Sequence, residues 1–247
     1  MILLRSLIYT PLLFLTVLVF SVGVIASRVL GPGHPYAVAR SWATVNLWLL
    51  KTICGLRYSV EGKENIPPAN GIVYIKHQSV FETIWPFTCF PQTAFVLKRE
   101  LMWIPVLGWA LHVIKPIAID RSAGGSAVRQ VVRQGRERLA EGKWIIVYPE
   151  GTRMPPGTTR KYGLSGALLA SHTGSQVLPV ALNAGDFWPR RGLKKQPGTV
   201  RIVIGPAIDP AGKTPAEVNK AAQDWIESTM RRISASYSPK TNDSVAI

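Results

Sequence analysis

The stretch Trp144-Ile-Ile-Val-Tyr-Pro-Glu-Gly-Thr-Arg153 runs a short apolar segment directly into a turn made by proline and glycine. An uninterrupted apolar run of this length is typical of a strand that is buried on both faces, as in a parallel sheet. The turn that follows presents charged side chains at the carboxyl end of the strand. We therefore predict a buried strand that delivers Glu150 and Arg153 to one edge of a sheet.

Similar apolar runs recur along the chain and alternate with helical patterns. The other predicted strands are bounded by turn residues and are rich in β-branched side chains: Gly71–Ile75, Thr93–Leu97, Val113–Ile119, Val177–Leu182 and Val200–Ile204. One helix between them sets an apolar face against a row of arginines, Arg129, Arg133 and Arg136. A capping box from Thr214 to Glu217 opens a last helix. These patterns predict an α/β fold with a mixed, mostly parallel sheet flanked by helices.

The amino-terminal segment has the properties of a membrane anchor. Leu7–Ser27 carries no charged residue, and as a helix it would span about 31 Å, which matches a bilayer core. A second apolar stretch, Ala37–Leu56, follows at once but contains Arg40 and Lys51, as interfacial helices do. We predict a membrane-anchoring helical hairpin at residues 1–56, a catalytic domain at residues 57–236 and a polar tail at residues 237–247. The alternative is a signal peptide cleaved near Ser27.

The charge balance restricts the class of partner. The 247 residues carry a formal net charge of +15, which favours a polyanionic partner such as a nucleic acid or an anionic membrane surface. Since the apolar residues are grouped in blocks and no nucleic-acid motif is present, we expect the membrane surface and no nucleic acid. A basic loop, Arg190–Lys195, could contribute to that surface or be an ordinary solvated loop. The two cysteines have no metal-ligand spacing, so we predict no metal site.

The segment Tyr74-Ile-Lys-His-Gln-Ser-Val-Phe-Glu-Thr83 carries the clearest sign of catalysis. A buried strand ends at His77, and Glu82 falls in the first turn of a following helix. From there a carboxylate could bond one ring nitrogen and raise the basicity of the other, which makes a general base with an orienting group. The alternative is a capping box in which Glu82 turns back to the amide of Ser79.

Positively charged residues follow several of the predicted strands. Lys98 and Arg121 come directly after two of them, as Arg153 does after a third. Ligands in open α/β sheets bind at the carboxyl ends of the strands, so we expect these cations on one rim. Each of them alone could equally be a solvated surface charge.

Together these segments resemble the four sequence blocks of the glycerolipid acyltransferases, in particular the bacterial-type 1-acylglycerol-3-phosphate (lysophosphatidic acid) acyltransferases. The matching residues lie between Ile72 and Val180 in the family's order: His77 with Glu82, Lys98-Arg-Glu-Leu with Pro105-Val-Leu-Gly108, Ile119-Asp-Arg121, Tyr148-Pro-Glu-Gly-Thr-Arg153 and Val177-Leu-Pro-Val180. Two positions depart from the usual pattern. Glu82 stands where the family has aspartate, and Tyr148 stands where it has phenylalanine.

The resemblance implies direct acyl transfer from acyl-CoA or an acyl carrier protein to the free hydroxyl of lysophosphatidic acid. His77 would be the general base and Glu82 its orienting group. Lys98, Arg121 and Arg153 would bind the acceptor phosphate, with Glu150, Gly151 and Thr152 completing the substrate site. Backbone amides near Gly151 would stabilise the oxyanion.

No metal or organic cofactor would be needed, because a thioester is already activated, and the sequence contains no nucleophile elbow. The expected location is the inner (cytoplasmic) membrane, with the catalytic domain facing the cytoplasm. The alternatives are another acceptor, namely glycerol 3-phosphate, a lysophospholipid or a lyso-aminolipid, or a non-catalytic lipid-binding protein of the same fold.

Overall fold

The computed structural model describes residues 1–120, 123–237 and 240–241 of the chain. It opens with two helices, α1 (Ile2–Ser27) and α2 (His34–Leu49), and one wider helical turn extends α2 to Cys54. The chain reverses at residues 31–33, and the two helices pack against each other, so the predicted helical hairpin is confirmed. Within the described residues, one helix, Ile2–Leu30, is long and apolar enough to cross a membrane.

The strands are short, and most of them are buried. In chain order they are β1 (Leu56–Glu61), β2 (Ile72–Ile75), β3 (Thr93–Lys98), β4 (Ile117–Ile119), β5 (Trp144–Val147), β6 (Thr158–Thr159), β7 (Val177–Leu182), β8 (Gly198–Ile204) and β9 (Lys240–Thr241). Except for β6 and β9, which pair with each other, they form one sheet in the order β1-β8-β7-β2-β5-β3-β4. Only the β7–β8 pair of that sheet is antiparallel. The predicted mixed, mostly parallel sheet is therefore confirmed.

Helices cover both faces of this sheet. The further helices are α3 (Phe81–Ile84), α4 (Pro86–Cys89), α5 (Leu107–Ile114), α6 (Gly125–Ala140), α7 (Ser165–Thr173), α8 (Ala184–Phe187) and α9 (Pro215–Ile233). Because side chains alternate along a strand, Val73 and Ile75 of β2 pack in a core with the hairpin and α3. Ile72 and Tyr74 pack on the opposite face with α6, α7 and α9. The hairpin and α6 thus lie on opposite sides of the sheet.

The hairpin is joined to the rest of the molecule near both ends of α1. Near its start, the buried Lys195 donates from Nζ to Thr10 Oγ1 (2.6 Å) and from its backbone N–H to Ser6 Oγ (2.8 Å). Near its end, Val24 packs in a cluster with Ala110 and Ile114 of α5. Helix α1 therefore lies along the globular part instead of projecting from it. The interpretation of Lys195 as a surface charge was wrong, because its ammonium is used to dock the loop onto the helix.

Two secondary-structure predictions differ from the structure. The predicted strand Val113–Ile119 is confirmed only from Ile117, since Val113 and Ile114 end α5. Lys115 adopts a positive φ of 53° that closes the helix, and the ring of Pro116 prevents its continuation. Strand β1 was not predicted at all. The boundaries proposed at residues 56 and 236 stay predictions, and the polar tail lies largely outside the described residues.

Candidate active site

The candidate site lies where β2 and β5 end side by side. The two strands are parallel, with Tyr74 opposite Val147, so the residues that follow each strand emerge at the same edge. The backbone N–H of His77 donates to Glu150 Oε2 (3.0 Å), and the carbonyl oxygen of His77 accepts from the N–H of Met154 (2.7 Å). The histidine's main chain is therefore held on both sides by the segment that follows β5.

The imidazole of His77 is almost fully buried and lies flat against a second ring. It stacks on Tyr148 with ring centroids 3.9 Å apart and planes inclined by 18°. The hydroxyl of Tyr148 donates to the backbone oxygen of Glu82 (2.8 Å). Tyr148 thus contacts both residues of the predicted dyad, a role that sequence reasoning missed because the tyrosine was treated only as a substitute for phenylalanine.

The carboxylate of Glu82 has two sets of neighbours. Its oxygens accept from the backbone N–H groups of Gln78 (3.0 Å) and Ser79 (2.9 Å), as the capping interpretation required. Its Oε2 also lies 4.0 Å from Nδ1 of His77, too far for a direct hydrogen bond but close enough for strong electrostatic interaction. The contact that the capping interpretation predicted is present, whereas the bond predicted between Glu82 and the imidazole is not formed at this distance, and the dyad stays a prediction.

The titration of Glu82 reflects this environment. Burial raises the pKa of the Glu82 carboxyl to about 7, and the backbone N–H groups of the turn and the positive charge of Arg153 oppose that rise. A carboxyl in this range changes charge near neutral pH. Its influence on the imidazole is therefore pH-dependent.

Glu150 faces the protein interior instead of the open edge. Its Oε1 accepts from Nζ of Lys76 (2.7 Å), and the same ammonium lies 3.0 Å from Glu227 Oε1 and 3.0 Å from the carbonyl oxygen of Thr158. Tyr162 donates to Glu227 from its hydroxyl (2.7 Å). Lys76 and Glu150 are completely shielded from water in their side chains, and Glu227 nearly so. The geometry makes Glu150 a support for His77, and its predicted place in the substrate site stays a prediction.

The buried cluster of Lys76, Glu150 and Glu227 was not anticipated from the sequence. Burial raises the pKa of the Glu150 carboxyl to about 7, with Lys76 and the N–H of His77 opposing the rise. Glu227 comes from α9, far along the chain. The only local signal was a lysine at the end of an apolar strand, where a charge is costly unless it is paired.

The predicted cations differ in how the structure places them. Arg153 is half-buried and close enough to Glu82 to lower the pKa of its carboxyl. Lys98 is exposed at the end of β3. Arg121 lies outside the described residues. Of the two predicted phosphate ligands that the structure describes, Arg153 therefore lies near the dyad.

The turn after β5 is shaped by Gly151, whose φ of 69° is unfavourable for other residues. Its N–H donates to the carbonyl oxygen of Tyr148 (2.9 Å) and so closes the turn. Thr152 is half-buried beside it. Among residues 1–120 and 123–237, no group of three or more His, Cys, Asp or Glu side chains could hold a metal ion.

The chain is similar to known proteins of one family. Residues 57–183 match the family model described as Acyltransferase. The chain is 44% identical over 200 residues to the 1-acyl-sn-glycerol-3-phosphate acyltransferase of Pseudomonas aeruginosa, which covers 80% of this chain and 78% of the relative. It is 28% identical over 179 residues to the enzyme of the same name from Borreliella burgdorferi, covering 70% and 69% of the two chains.

A solved structure shares the fold. The crystal structure of the 1-acyl-sn-glycerophosphate acyltransferase from Thermotoga maritima superimposes with a TM-score of 0.79, covering 94% of this chain and 95% of the other at 24% identity. The histidine and the Pro-Glu-Gly-Thr-Arg segment lie within the region that the family model matches. The chain belongs to the acyltransferase family.

Proposed function

We propose that the protein transfers a fatty acyl chain from a thioester to the sn-2 hydroxyl of 1-acylglycerol 3-phosphate and so forms phosphatidic acid. The observation that carries this proposal is the buried His77, whose main chain is fixed by Glu150 and Met154 and whose ring is fixed by Tyr148. A positioned imidazole at the catalytic edge of an α/β sheet suits proton abstraction from a hydroxyl. The named relatives act on the same acceptor.

His77 serves as the general base. Its Nδ1 faces Glu82, which leaves Nε2 to take the proton from the acceptor hydroxyl. The oxygen then attacks the thioester carbonyl, and the tetrahedral intermediate collapses with loss of the thiolate, which takes the proton back from the imidazolium. The products are the new ester and the free thiol. Ionised Glu82 stabilises the imidazolium at each step.

Arg153 binds the acceptor phosphate. A guanidinium presents two parallel N–H groups to phosphate oxygens, and the position of Arg153 near Glu82 places that charge beside the dyad. Lys98 and Arg121 are the second and third phosphate ligands. Because the N–H of Gly151 already closes its own turn, the oxyanion is stabilised by neighbouring amides of the same segment.

The enzyme works at the inner membrane with its catalytic domain on the cytoplasmic side, and its hairpin lies within one leaflet. The placement within one leaflet is supported by the attachment of both ends of α1 to the globular part, which a helix that crosses the bilayer could not keep without drawing the domain into the lipid. The outward face of α1 is apolar and exposed at Leu4, Phe14 and Val19. Protease protection in sealed vesicles tests the topology: an intact amino terminus accessible from the side of the domain supports it, and protection of one end of α1 contradicts it.

An acceptor panel tests the reaction itself. The purified protein in detergent is supplied with acyl-CoA and with acyl carrier protein thioester, and the acceptors are lysophosphatidic acid, glycerol 3-phosphate, a lysophospholipid and a lyso-aminolipid. We expect the highest kcat/KM with lysophosphatidic acid. A higher value with another acceptor would assign that substrate instead. Absence of transfer in every combination would favour a non-catalytic lipid-binding role.

A further inference from the structure

A groove lies between α6 and α7, on the side of the sheet away from the hairpin. It has a volume of about 470 Å³, and its lining includes the apolar side chains of Val128, Val132 and Leu168 together with Glu137 and His172. Arg129, Arg133 and Arg136 line it from α6, each exposed. The groove is thus an apolar channel with a positively charged wall.

The three arginines have no ion-pair partner within the part of the chain that the structure describes. Spacings of three and four residues bring them close together along one side of the helix, where like charges cost about 0.2–0.5 kcal/mol per pair. The next cation of the same helix, Arg138, does pair with Glu141 (3.0 Å). Glu137 of the same lining offsets one of the three charges, so the row keeps a net positive charge that costs the isolated fold some stability and that an acidic partner would recover.

The position of the groove shows whether an anionic partner would reach it from the membrane or from the aqueous phase. Because the groove and the hairpin lie on opposite faces of the sheet, a hairpin in the membrane turns the groove toward water. Helix α6 follows β4 at the catalytic edge. The side chain of Gln134 joins the helix to that strand: it accepts from the backbone N–H of Ala118 (3.3 Å) and donates to the backbone oxygen of the same residue (3.1 Å). Arg129 is then about 6 Å along the axis from the first residue of α6. The row of arginines therefore begins near the catalytic edge and extends away from it, on a surface that faces water.

We propose that this groove docks an acidic acyl carrier protein, which delivers the acyl thioester from the aqueous side. The inference rests on the proposed function and names its donor. An acidic helix with apolar residues on one side would fit both the charged wall and the apolar floor. Complementary charge of this kind accelerates association and weakens with salt.

The test varies the donor and leaves the catalytic residues unchanged. Arg133→Glu is compared with Arg57→Glu, a matched charge reversal at an exposed site on the edge strand β1. In detergent at low salt, we expect Arg133→Glu to raise the KM for acyl carrier protein thioester about tenfold, equivalent to about 1.4 kcal/mol, and to leave kcat/KM for acyl-CoA unchanged. Arg57→Glu should change neither. An equal loss with both donors, no loss with either, or a wild-type enzyme that uses only acyl-CoA would overturn the proposal.

A binding measurement separates docking from catalysis. Purified acyl carrier protein is titrated calorimetrically against the wild-type enzyme, Arg133→Glu and Arg57→Glu. Binding that Arg133→Glu weakens and that Arg57→Glu retains would support docking even if the panel of acceptors failed to show transfer. Equal binding by all three proteins, or binding by none, would exclude the groove as the docking site.

Discussion

Replacing Lys76 with methionine should damage both stability and turnover, because its ammonium is the only cation described within bonding distance of two buried carboxylates. Methionine keeps the length and apolar stem of lysine and removes the charge. Glu150 and Glu227 would then lie in the interior without the partner that now stands 2.7 and 3.0 Å away. Glu150 also holds the backbone N–H of His77, so its displacement would move the general base.

The expected loss is large. Removing one partner of a buried ion pair costs about 3–5 kcal/mol, since the other charge stays buried and uncompensated. For a chain of this size, about 2–4 °C of melting temperature corresponds to each kcal/mol, which gives a decrease of about 6–20 °C. Part of the loss should be recovered as pH falls, because protonation removes the uncompensated charge of Glu150. Its pKa is raised to about 7 with the lysine present, and loss of the lysine, which opposes that rise, should move the protonation of Glu150 to higher pH.

Thermal melting in detergent and acyl-transfer rates well below the melting temperature measure the two effects. Lys143→Met is the matched control, because Lys143 is also nearly buried but pairs at 2.6 Å with Glu141, whose side chain is 36% exposed. An exposed pair of this kind contributes about 0–1 kcal/mol. Equal losses of stability in the two variants would refute the argument about the buried cluster. Wild-type turnover in folded Lys76→Met would refute the positioning of His77.

Four further substitutions test the proposed site. His77→Ala should lower the transfer rate by about 10²–10⁴-fold, whereas replacement of the exposed His34 by alanine should not. If His77→Ala retains more than a few per cent of the rate, His77 is excluded as the base. Glu82→Gln should remove one contribution to the pH dependence of stability. With a pKa of about 7 in the fold, the Glu82 carboxyl holds its proton more tightly there than in the unfolded chain, so as pH rises from about 4.5 to 7 the wild type should lose about 3 kcal/mol more than the variant, whereas the contribution of Glu150 is common to both. Chemical denaturation across that range measures the difference, and if Glu82→Gln changes melting but not turnover, the residue only caps the turn. Arg153→Lys should raise the KM for the lysolipid about tenfold or more, because a charge-assisted hydrogen bond worth about 1.5–3 kcal/mol is lost. A raised KM for the thioester alone would instead place Arg153 at the donor site. Tyr148→Phe should lower kcat several-fold with little change in KM, because the ring still stacks on His77 but the carbonyl of Glu82 loses its hydrogen-bond donor. An unchanged kcat would mean that the hydroxyl is purely structural.

The sequence was most informative where strands are buried on both faces. Val177–Leu182 was predicted to the residue, because a continuous apolar run between turn residues that is too short for a typical buried helix fits a buried strand. Strand β1 was missed because it lies at the edge of the sheet and most of its side chains are not buried. It contains Arg57, Ser59 and Glu61, so no continuous apolar run marks it in the sequence. The strand was predicted to start too early, at Val113, for a different reason. The apolar end of a helix and an apolar strand have the same composition, so composition does not separate them.

The same physical limits apply to the site. Strand-end reasoning placed His77 and the segment around Glu150 at a common edge, because parallel neighbours end together. It could not show that Glu150 turns inward, since that orientation depends on Lys76 and on Glu227 from the distant helix α9. Contacts between residues so far apart in the chain depend on the topology of the whole sheet, and no local pattern reports them.

The two departures from the usual family pattern are in direct contact, because the hydroxyl of Tyr148 donates to the main-chain oxygen of Glu82. The longer side chain at Glu82 reaches back to the amides of Gln78 and Ser79, so its carboxylate is held by the turn and stands 4.0 Å from the imidazole. The hydroxyl at Tyr148 binds the carbonyl of the same residue while the ring supports His77. A phenylalanine would leave that buried carbonyl without this donor, at a cost of about 1–3 kcal/mol. The tyrosine thus fixes the main chain of a glutamate whose carboxylate is bonded to the turn, and the same ring supports the imidazole.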